Sequence, residues 1–242
     1  MLDFLLATDD AAAWHAVNMD LNPDHYSWSA TQLGPTTLAR LAECAGGVYF
    51  NSHIRVDGQL VKYGLSSTET LVSDLRRWDR FYLAGRLQKP VRVLTCTTQV
   101  RAALSANLDA AIGTAAAQLP ADGFSERDLY VAITGLSYSG DPRMVVGENR
   151  HKVRNIVDAQ PSEFQKLYKD RLAVSGVVDL DAATGVLVRQ PIQGTEPVVT
   201  SADALRATVR WSGLTQMLLG VLSAGPSKSV AYVGEKLGKW VD

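Results

Sequence analysis

The chain has 242 residues, 46% of them hydrophobic and 20% charged, with a formal net charge of -1. That length allows one large core or two smaller domains, and the composition excludes intrinsic disorder, which needs fewer apolar residues and less balanced charge. Near-neutrality also argues against a general nucleic-acid binder, because neutralising phosphates calls for a concentrated excess of Lys and Arg.

From the N-terminus, Leu2 to Ala7 reads as a buried strand, and Asp9-Asp10 offers an N-cap to a helix running through Trp14 to about Met19. The opening MLDFLLATDD has no basic n-region and is interrupted by Asp3, so it makes a poor signal peptide and is too short to span a bilayer. Full burial of a strand this early would need neighbours on both sides, as though it were the middle of a sheet whose beginning is absent. Next comes HYSWSATQLGP, His25 to Pro35, dense in hydroxyls and aromatic rings. Its side chains suit either the wall of a binding pocket or a scaffold beneath one.

Gly47 to Gly64 alternates as two antiparallel strands, with Asp57-Gly58 as a tight turn. Leu71, Leu75, Trp78 and Tyr82 then recur at helical spacing, and Gly85 and Pro90 mark the end of that helix. Val91 to Cys96 is a short strand candidate. Leu104, Leu108, Ala111 and Ala115 share one helix face closed by Pro120, and Ser125 with Asp128 approximates a capping box for a helix through Ile133. Together these two form a helical insert. Gly176 to Gln190 resembles a hairpin turning at Gly185, and residues 201–225 read as a helix ended by Gly225-Pro226. A final helix carries an apolar stripe of Val230, Val233, Leu237 and Trp240 beside Lys236 and Lys239, which suits either docking on the core or lying in a membrane interface. No stretch reaches about 18 apolar residues without charge, so membrane contact is expected to be peripheral.

Several positions have the chemistry of a site. An unpaired carboxylate at Asp3 would be costly inside an apolar strand, so it should face a cleft or have a cation beside it. In YSGDPRMVVGENRHK, Gly140 permits a close backbone turn, Asp141 can bind Mg²⁺, and Arg143 offers rigid donors to phosphate. Glu148, Arg150 and Lys152 extend that polar run, which reads equally as a surface loop held by ion pairs. The four histidines form no HExxH or other close metal spacing, which argues against a catalytic zinc. Cys44 and Cys96 lie in no CxxC pair and read as reduced thiols. GxxxxGK[ST], GxGxxG and GxSxG are all absent. The residues alone describe a mixed α/β globular protein with a polar, phosphate-facing site.

The strings MLDFLLATDDAAAWHAVNMDLNPDHYS, GGVYFNS, LVKYGLSS, DLRRWDRFYLAGRLQKPV, GLSYSGDPRMVVGENRHKVRNIV and GPSKSVAYVGEKLGKW occur in order. Together they closely resemble the mitochondrial-type phosphatidate cytidylyltransferases, the translocator assembly and maintenance protein family. The resemblance is dense from Met1 to about Tyr168, weak through residues 176–200, and returns around Arg210 to Trp240. It implies an α/β (α+β) fold: a nucleotidyltransferase-like mixed sheet domain over residues 1–95, a winged-helix-like helical module over 96–140, and a remainder, 141–242, with a hairpin and C-terminal helices. The implied reaction joins CTP and phosphatidic acid, with Mg²⁺, to give CDP-diacylglycerol and pyrophosphate for phosphatidylglycerol and cardiolipin synthesis.

By the same resemblance Asp3 becomes the leading metal ligand and catalytic carboxylate, with Asp141 as a second. His25, Tyr26 and Ser27 fall beside the nucleotide or substrate pocket. Lys62, Arg86, Lys89, Arg143 and Lys152 become candidate donors to phosphate. The implied partner is phosphatidic acid in an anionic membrane, with no nucleic acid, and homo-oligomer formation is left open. The implied location is peripheral, on the cytoplasmic face in a bacterium or the matrix side of the inner membrane in a mitochondrion. In the family a Gly-Ser nucleotide-binding turn precedes the strand that matches MLDF; it is not among these residues, so weakened activity is expected of the chain as it stands. A noncatalytic nucleotide- or lipid-binding homologue, or a nucleotidyltransferase with another acceptor, remains the alternative.

Overall fold

The computed structural model describes residues 1–142, 144, 151–181, 186–190 and 201–238, and for 180, 181 and 222–238 it describes the backbone alone. The chain divides into two compact units, Met1–Leu71 with Leu214–Asp242, and Val72–Gly213. The architecture is mixed α/β: a small sheet with surrounding helices and a C-terminal helical segment.

In the first unit, strands β1 (Leu2–Thr8), β2 (Tyr49–Val56) and β3 (Gln59–Ser67) form a sheet of order β1-β3-β2. The β2–β3 hairpin closes through Asp57 and Gly58, both at positive φ (48° and 77°), the mirror-image turn that matches strand twist. Helix α1 (Ala11–Leu21) starts where the Asp10 carboxylate accepts the Ala13 N–H at 2.8 Å. Helix α2 (Trp28–Cys44) is capped by the Ser27 hydroxyl and bent at Gly34-Pro35, where Gly34 has φ 73°. Tyr26, Ala30, Leu38, Ala42, Ala45 and Tyr49 pack into one core with Leu219 from the second half of α9 (Ala202–Gly238).

β1 forms as the strand expected, without the burial that neighbours on both sides would give it. Among the described residues it pairs only with β3, in parallel, and Leu2 and Leu6 remain substantially exposed. Parallel strands usually need cover on both faces, so an apolar run does signal such an environment, but register and neighbours decide whether it is filled.

In the second unit the expected single helix through Tyr82 is two pieces, α3 (Thr68–Arg77), which begins in the first unit, and α4 (Leu83–Leu87). Trp78 and Phe81 adopt positive φ (56° and 53°) and turn the chain between them. The expected strand at Val91–Cys96 does not form: the segment has no strand partner, and Val91, Val93 and Leu94 stay exposed. β-branched residues favour a strand only where a neighbouring strand takes their hydrogen bonds.

Helix α5 (Thr98–Ala116) buries Ala103, Ala111, Ala115 and Ala116 as a small-residue face, and α6 (Glu126–Leu136) opens with the Ser125–Asp128 capping box. Helices α7 (Lys152–Asp158) and α8 (Pro161–Val174) follow, and Tyr130 stacks on Phe164 at 5.5 Å. Strands β4 (Val178–Asp181) and β5 (Val186–Arg189) pair as expected for the hairpin, and Leu187 bridges to Phe124; the turn at Gly185 lies outside the described residues. α9 runs on through Gly225-Pro226, against the expected break there. A proline forfeits one intrahelical bond, and at Pro226 that loss does not end the helix. The stripe residues Val230, Val233 and Leu237 lie where only backbone is described, and Lys239 and Trp240 lie outside the described residues.

Candidate functional site

The two faces of the first unit's sheet have different chemistry. Strand alternation puts Asp3, Lys62, Gly64 and Phe50 on one face, and Tyr63, Asn51 and Tyr49 on the other, beneath α1 and α2. Parallel pairing sets Asp3 directly beside Lys62, with Nζ 3.9 Å from Oδ2. The same ammonium lies 4.0 Å from the centre of the Phe50 ring. Phe50 reaches that place because its partner across the ladder is Gly64: a Cβ there would meet Phe50 Cε1 at 2.5 Å. The cation expected beside an apolar-strand carboxylate is thus present, and the Asp3 side chain is 48% exposed.

The other face holds a closed hydrogen-bond network. Asn18 Nδ2 donates to the phenol oxygens of both Tyr26 and Tyr63, at 2.9 Å each. The Tyr26 hydroxyl lies 2.9 Å from His15 Nδ1 and the Tyr63 hydroxyl 2.7 Å from His25 Nδ1, each pair within hydrogen-bond reach. Burial depresses His15 to a pKa of about 4, which keeps it neutral and able to accept. Burial likewise pushes both phenols upward. His25 and Tyr26 thus sit in the scaffold that supports β3, and Ser27 caps α2 by accepting the Ala30 N–H at 3.2 Å.

In the second unit, α4 and the residues after it display Arg86 and Lys89. Arg86 stacks 5.1 Å from the Tyr82 ring and donates to its hydroxyl at 3.3 Å. Lys89 donates to the Gly85 carbonyl and, at 2.8 Å, to Ser137 Oγ. Its ammonium lies 5.4 Å from the Tyr138 ring centre, and that of Lys152, the first residue of α7, lies 5.5 Å from the same ring. Residues 63 positions apart are therefore brought to one tyrosine. Asp141 is buried in the turn after Tyr138, whose carbonyl accepts its N–H at 3.2 Å. Arg143, Glu148 and Arg150 lie outside the described residues.

Sequence reading missed the group that anchors α4. Asp74 is 0% exposed, and its carboxylate accepts the N–H groups of Arg80, Phe81, Leu83 and Ala84 at 2.6–3.0 Å. Burial pushes its carboxyl upward while the four donors pull it back. A signal was present, for Asp74 lies three residues after Leu71 and four before Trp78, on the buried side of the stripe. Asn107 is a second such residue, fully buried, accepting from Trp78 Nε1 at 2.8 Å and Gln88 Nε2 at 3.0 Å.

Magnesium commonly takes one or two protein carboxylates and completes its shell with water and substrate phosphates. Among the described residues no three His, Cys, Asp or Glu side chains converge on one point. Asp3, a half-exposed hard oxygen donor beside a phosphate-compatible lysine, fits that sparse kind of site.

A carboxylate and lysine paired on a sheet face, with clustered cations on aromatic rings elsewhere in the chain, is equipment for handling phosphate esters. The chain belongs to the family described as phosphatidate cytidylyltransferase, mitochondrial, whose model matches residues 1–184. It is similar to the mitochondrial phosphatidate cytidylyltransferases of Mus musculus (38% identical over 282 residues, covering 99% of this chain and 83% of the relative) and Rattus norvegicus (49%, with the same coverage). The Saccharomyces cerevisiae protein of the same description is 35% identical over 239 residues, covering 97% of this chain and 60% of the relative.

Proposed function

We propose that this chain is a phosphatidate cytidylyltransferase, joining CTP and phosphatidic acid to give CDP-diacylglycerol and pyrophosphate, the precursor step to phosphatidylglycerol and cardiolipin. The observation that carries this is the family match over residues 1–184, a span that holds every residue assigned a role in the chemical step below. An oxygen of the lipid phosphate attacks the α-phosphorus of CTP, a new P–O bond forms, and the bond to the bridging oxygen breaks as pyrophosphate leaves. Magnesium, when bound, neutralises the triphosphate charge that would repel the incoming lipid phosphate.

Within that reaction Asp3 is the metal-holding carboxylate of the first unit. Lys62, steadied by the Phe50 ring, is placed to donate to a phosphate oxygen. His25, Tyr26 and Ser27 act behind the strand, fixing β3 and the start of α2. Arg86, Lys89, Arg143 and Lys152 are donors to substrate phosphates, and Asp141 is a second carboxylate of the site. The family name is consistent with a mitochondrial setting, and no helix among the described residues is long and apolar enough to cross a membrane. The finer reading is peripheral association with an anionic surface, on the matrix side of the inner membrane in a mitochondrion or the cytoplasmic face in a bacterium. Val230, Val233, Leu237 and Trp240 supply apolar contact there, and Lys236 and Lys239 supply attraction.

The test supplies CTP, Mg²⁺ and vesicles of phosphatidylcholine with phosphatidic acid, and follows the cytidylylated lipid. Product is expected, and Asp3→Asn should lower turnover by about 100-fold or more with an unchanged unfolding midpoint. Absence of product from the folded protein under these conditions would sink the assignment. Replacing Lys236 and Lys239 by Gln serves as the membrane arm: vesicle co-sedimentation should fall most at low salt, and salt-independent binding would remove those lysines from the proposal.

A further inference from the structure

Within the first unit a groove of about 460 Å³ runs along α1, lined by Asp10, Ala13, Trp14, Val17, Asn18 and Leu21 together with Thr8 at the end of β1. Its floor is fixed by the network already described. Asn18 is bonded to Tyr26 and Tyr63, and Trp14 stands edge-on to Tyr63 with ring centres 6.1 Å apart. Val17 and Leu21, in contrast, are 58% and 73% exposed. Ala13, Val17 and Leu21 recur every four residues, which makes them one ridge along the helix. Single apolar side chains at a surface need no explanation, but an ordered ridge beside a formed groove marks a place of contact.

Charge narrows the kind of contact. Residues 1–39 contain five aspartates and no Lys or Arg, in a chain whose net charge is only -1. Asp10 borders the groove at the start of α1, with one carboxylate oxygen accepting the Ala13 N–H. Asp20 is exposed beside Leu21, one turn after Val17. Among the described residues neither carboxylate is paired with a Lys or Arg. Such a rim repels an anionic membrane and attracts cations. The backbone narrows the choice again. The N–H and C=O groups in the middle of α1 are used within the helix, so an extended peptide laid along it would find no ladder to join. A helical partner arrives with its own backbone satisfied, and a ridge spaced by four packs against the same kind of ridge on a second helix.

We propose that this groove receives an amphipathic helix of another protein, with branched aliphatic side chains on one face and Lys or Arg beside them. The aliphatic face lies over Val17 and Leu21, and the cations meet Asp10 and Asp20. Because α1 covers the sheet face opposite Asp3 and Lys62, the docked helix leaves that pair uncovered. The surface therefore serves to attach the protein to a partner, and it stands independently of the cytidylyltransferase reading.

The test uses the full chain and a synthetic helix of about five turns, with Leu repeating at i, i+3, i+4 and i+7 and Lys on both flanks of that face. One control replaces each Lys by Glu, and a second scrambles the same residues so that the leucines share no face. Fluorescence anisotropy should show the Lys helix binding more tightly than either control by about 10-fold or more, with an affinity that falls as salt rises. Leu21→Ser and Val17→Ser, at exposed positions that leave the unfolding midpoint unchanged, should each weaken that binding by about 10-fold. Asp20→Asn should flatten the salt dependence. Equal affinity for the scrambled control, or affinity unchanged in both Ser variants, overturns the proposal. Two other occupants are read in the same variants. If Leu21→Ser abolishes self-association in sedimentation velocity, the groove belongs to a second copy of this chain; if it abolishes co-sedimentation with phosphatidic-acid vesicles, the groove belongs to lipid. Either result overturns docking by another protein's helix.

Discussion

The two units bury polarity in opposite ways. Beneath β3 the first unit joins buried or half-buried neutral groups, His15, Asn18, Tyr26 and Tyr63, by side-chain hydrogen bonds. Beneath α4 the second unit hides a carboxylate, Asp74, surrounded by four backbone N–H groups. Both sit under an element that displays a cation, Lys62 on β3 and Arg86 on α4. The neutral network can hold a regular strand because its donors and acceptors are side chains, leaving the ladder intact. The carboxylate holds an irregular turn, where the backbone N–H groups of Arg80 to Ala84 need an acceptor that the helices do not provide.

The strongest way to break this comparison is Asp74→Ala. Four buried N–H groups would lose their acceptor at once, and the positive-φ Trp78 and Phe81 would lose what fixes them. The expected cost is roughly 4 kcal/mol, which in a chain of this size lowers the melting temperature by roughly 10 °C. Asp74→Asn should cost less but not be silent, since one carboxylate oxygen becomes an NH₂ group facing backbone donors. Thermal unfolding of both variants checks this, and a shift below about 1 °C for Asp74→Ala would show that the turn holds without its acceptor.

How much of this was legible in the sequence follows the same division. Elements specified by local chemistry read correctly: the Asp10 and Ser125 caps, the Asp57-Gly58 turn, and the α5 face through Leu108 and Ala115. Features decided by distant partners did not. Val91–Cys96 has strand composition but no neighbour to pair with. The Leu71–Tyr82 stripe has helical period, yet one buried carboxylate within it captures the N–H groups that would have continued the helix. At the site, Asp3 and Lys62 were each legible as polar residues in strands. Their pairing is a matter of parallel register, which no local pattern encodes. The convergence of Lys89 and Lys152 on Tyr138 depends on tertiary packing and was equally out of reach.

A smaller effect sharpens the neutral half of the comparison. The folded protein resists protonating His15 until about pH 4, whereas the unfolded chain takes up that proton near pH 6.5. Between those values the unfolded state holds more protons, so this group's contribution to stability is complete above pH 6.5 and lost as pH falls towards 4. The loss should amount to about 3 kcal/mol. His15→Gln removes the titrating group, so its denaturant-unfolding free energy should change less over that range than that of the parent. Equal slopes would mean that His15 is protonated in the folded state at ordinary acid pH, and that the network is not the neutral one its hydrogen bonds describe.

The least disruptive change tests the display of Lys62 while leaving the network beneath it untouched. Gly64→Ala places a methyl group within 2.5 Å of Phe50 Cε1 and 2.7 Å of Val48 Cγ2, so the Phe50 ring must move from its place beside Lys62. Overpacking of this kind costs about 1–2 kcal/mol. Two readouts separate strain from function. In a Phe50→Leu background the same substitution should cost less, by about 0.5–1 kcal/mol, because the shared clash is partly removed. Turnover should fall in Gly64→Ala beyond what the unfolded fraction explains, and Phe50→Leu alone should share that fall, since each takes the aromatic face away from the lysine. If both variants turn over normally once corrected for folded protein, Phe50 is only packing and does not place Lys62.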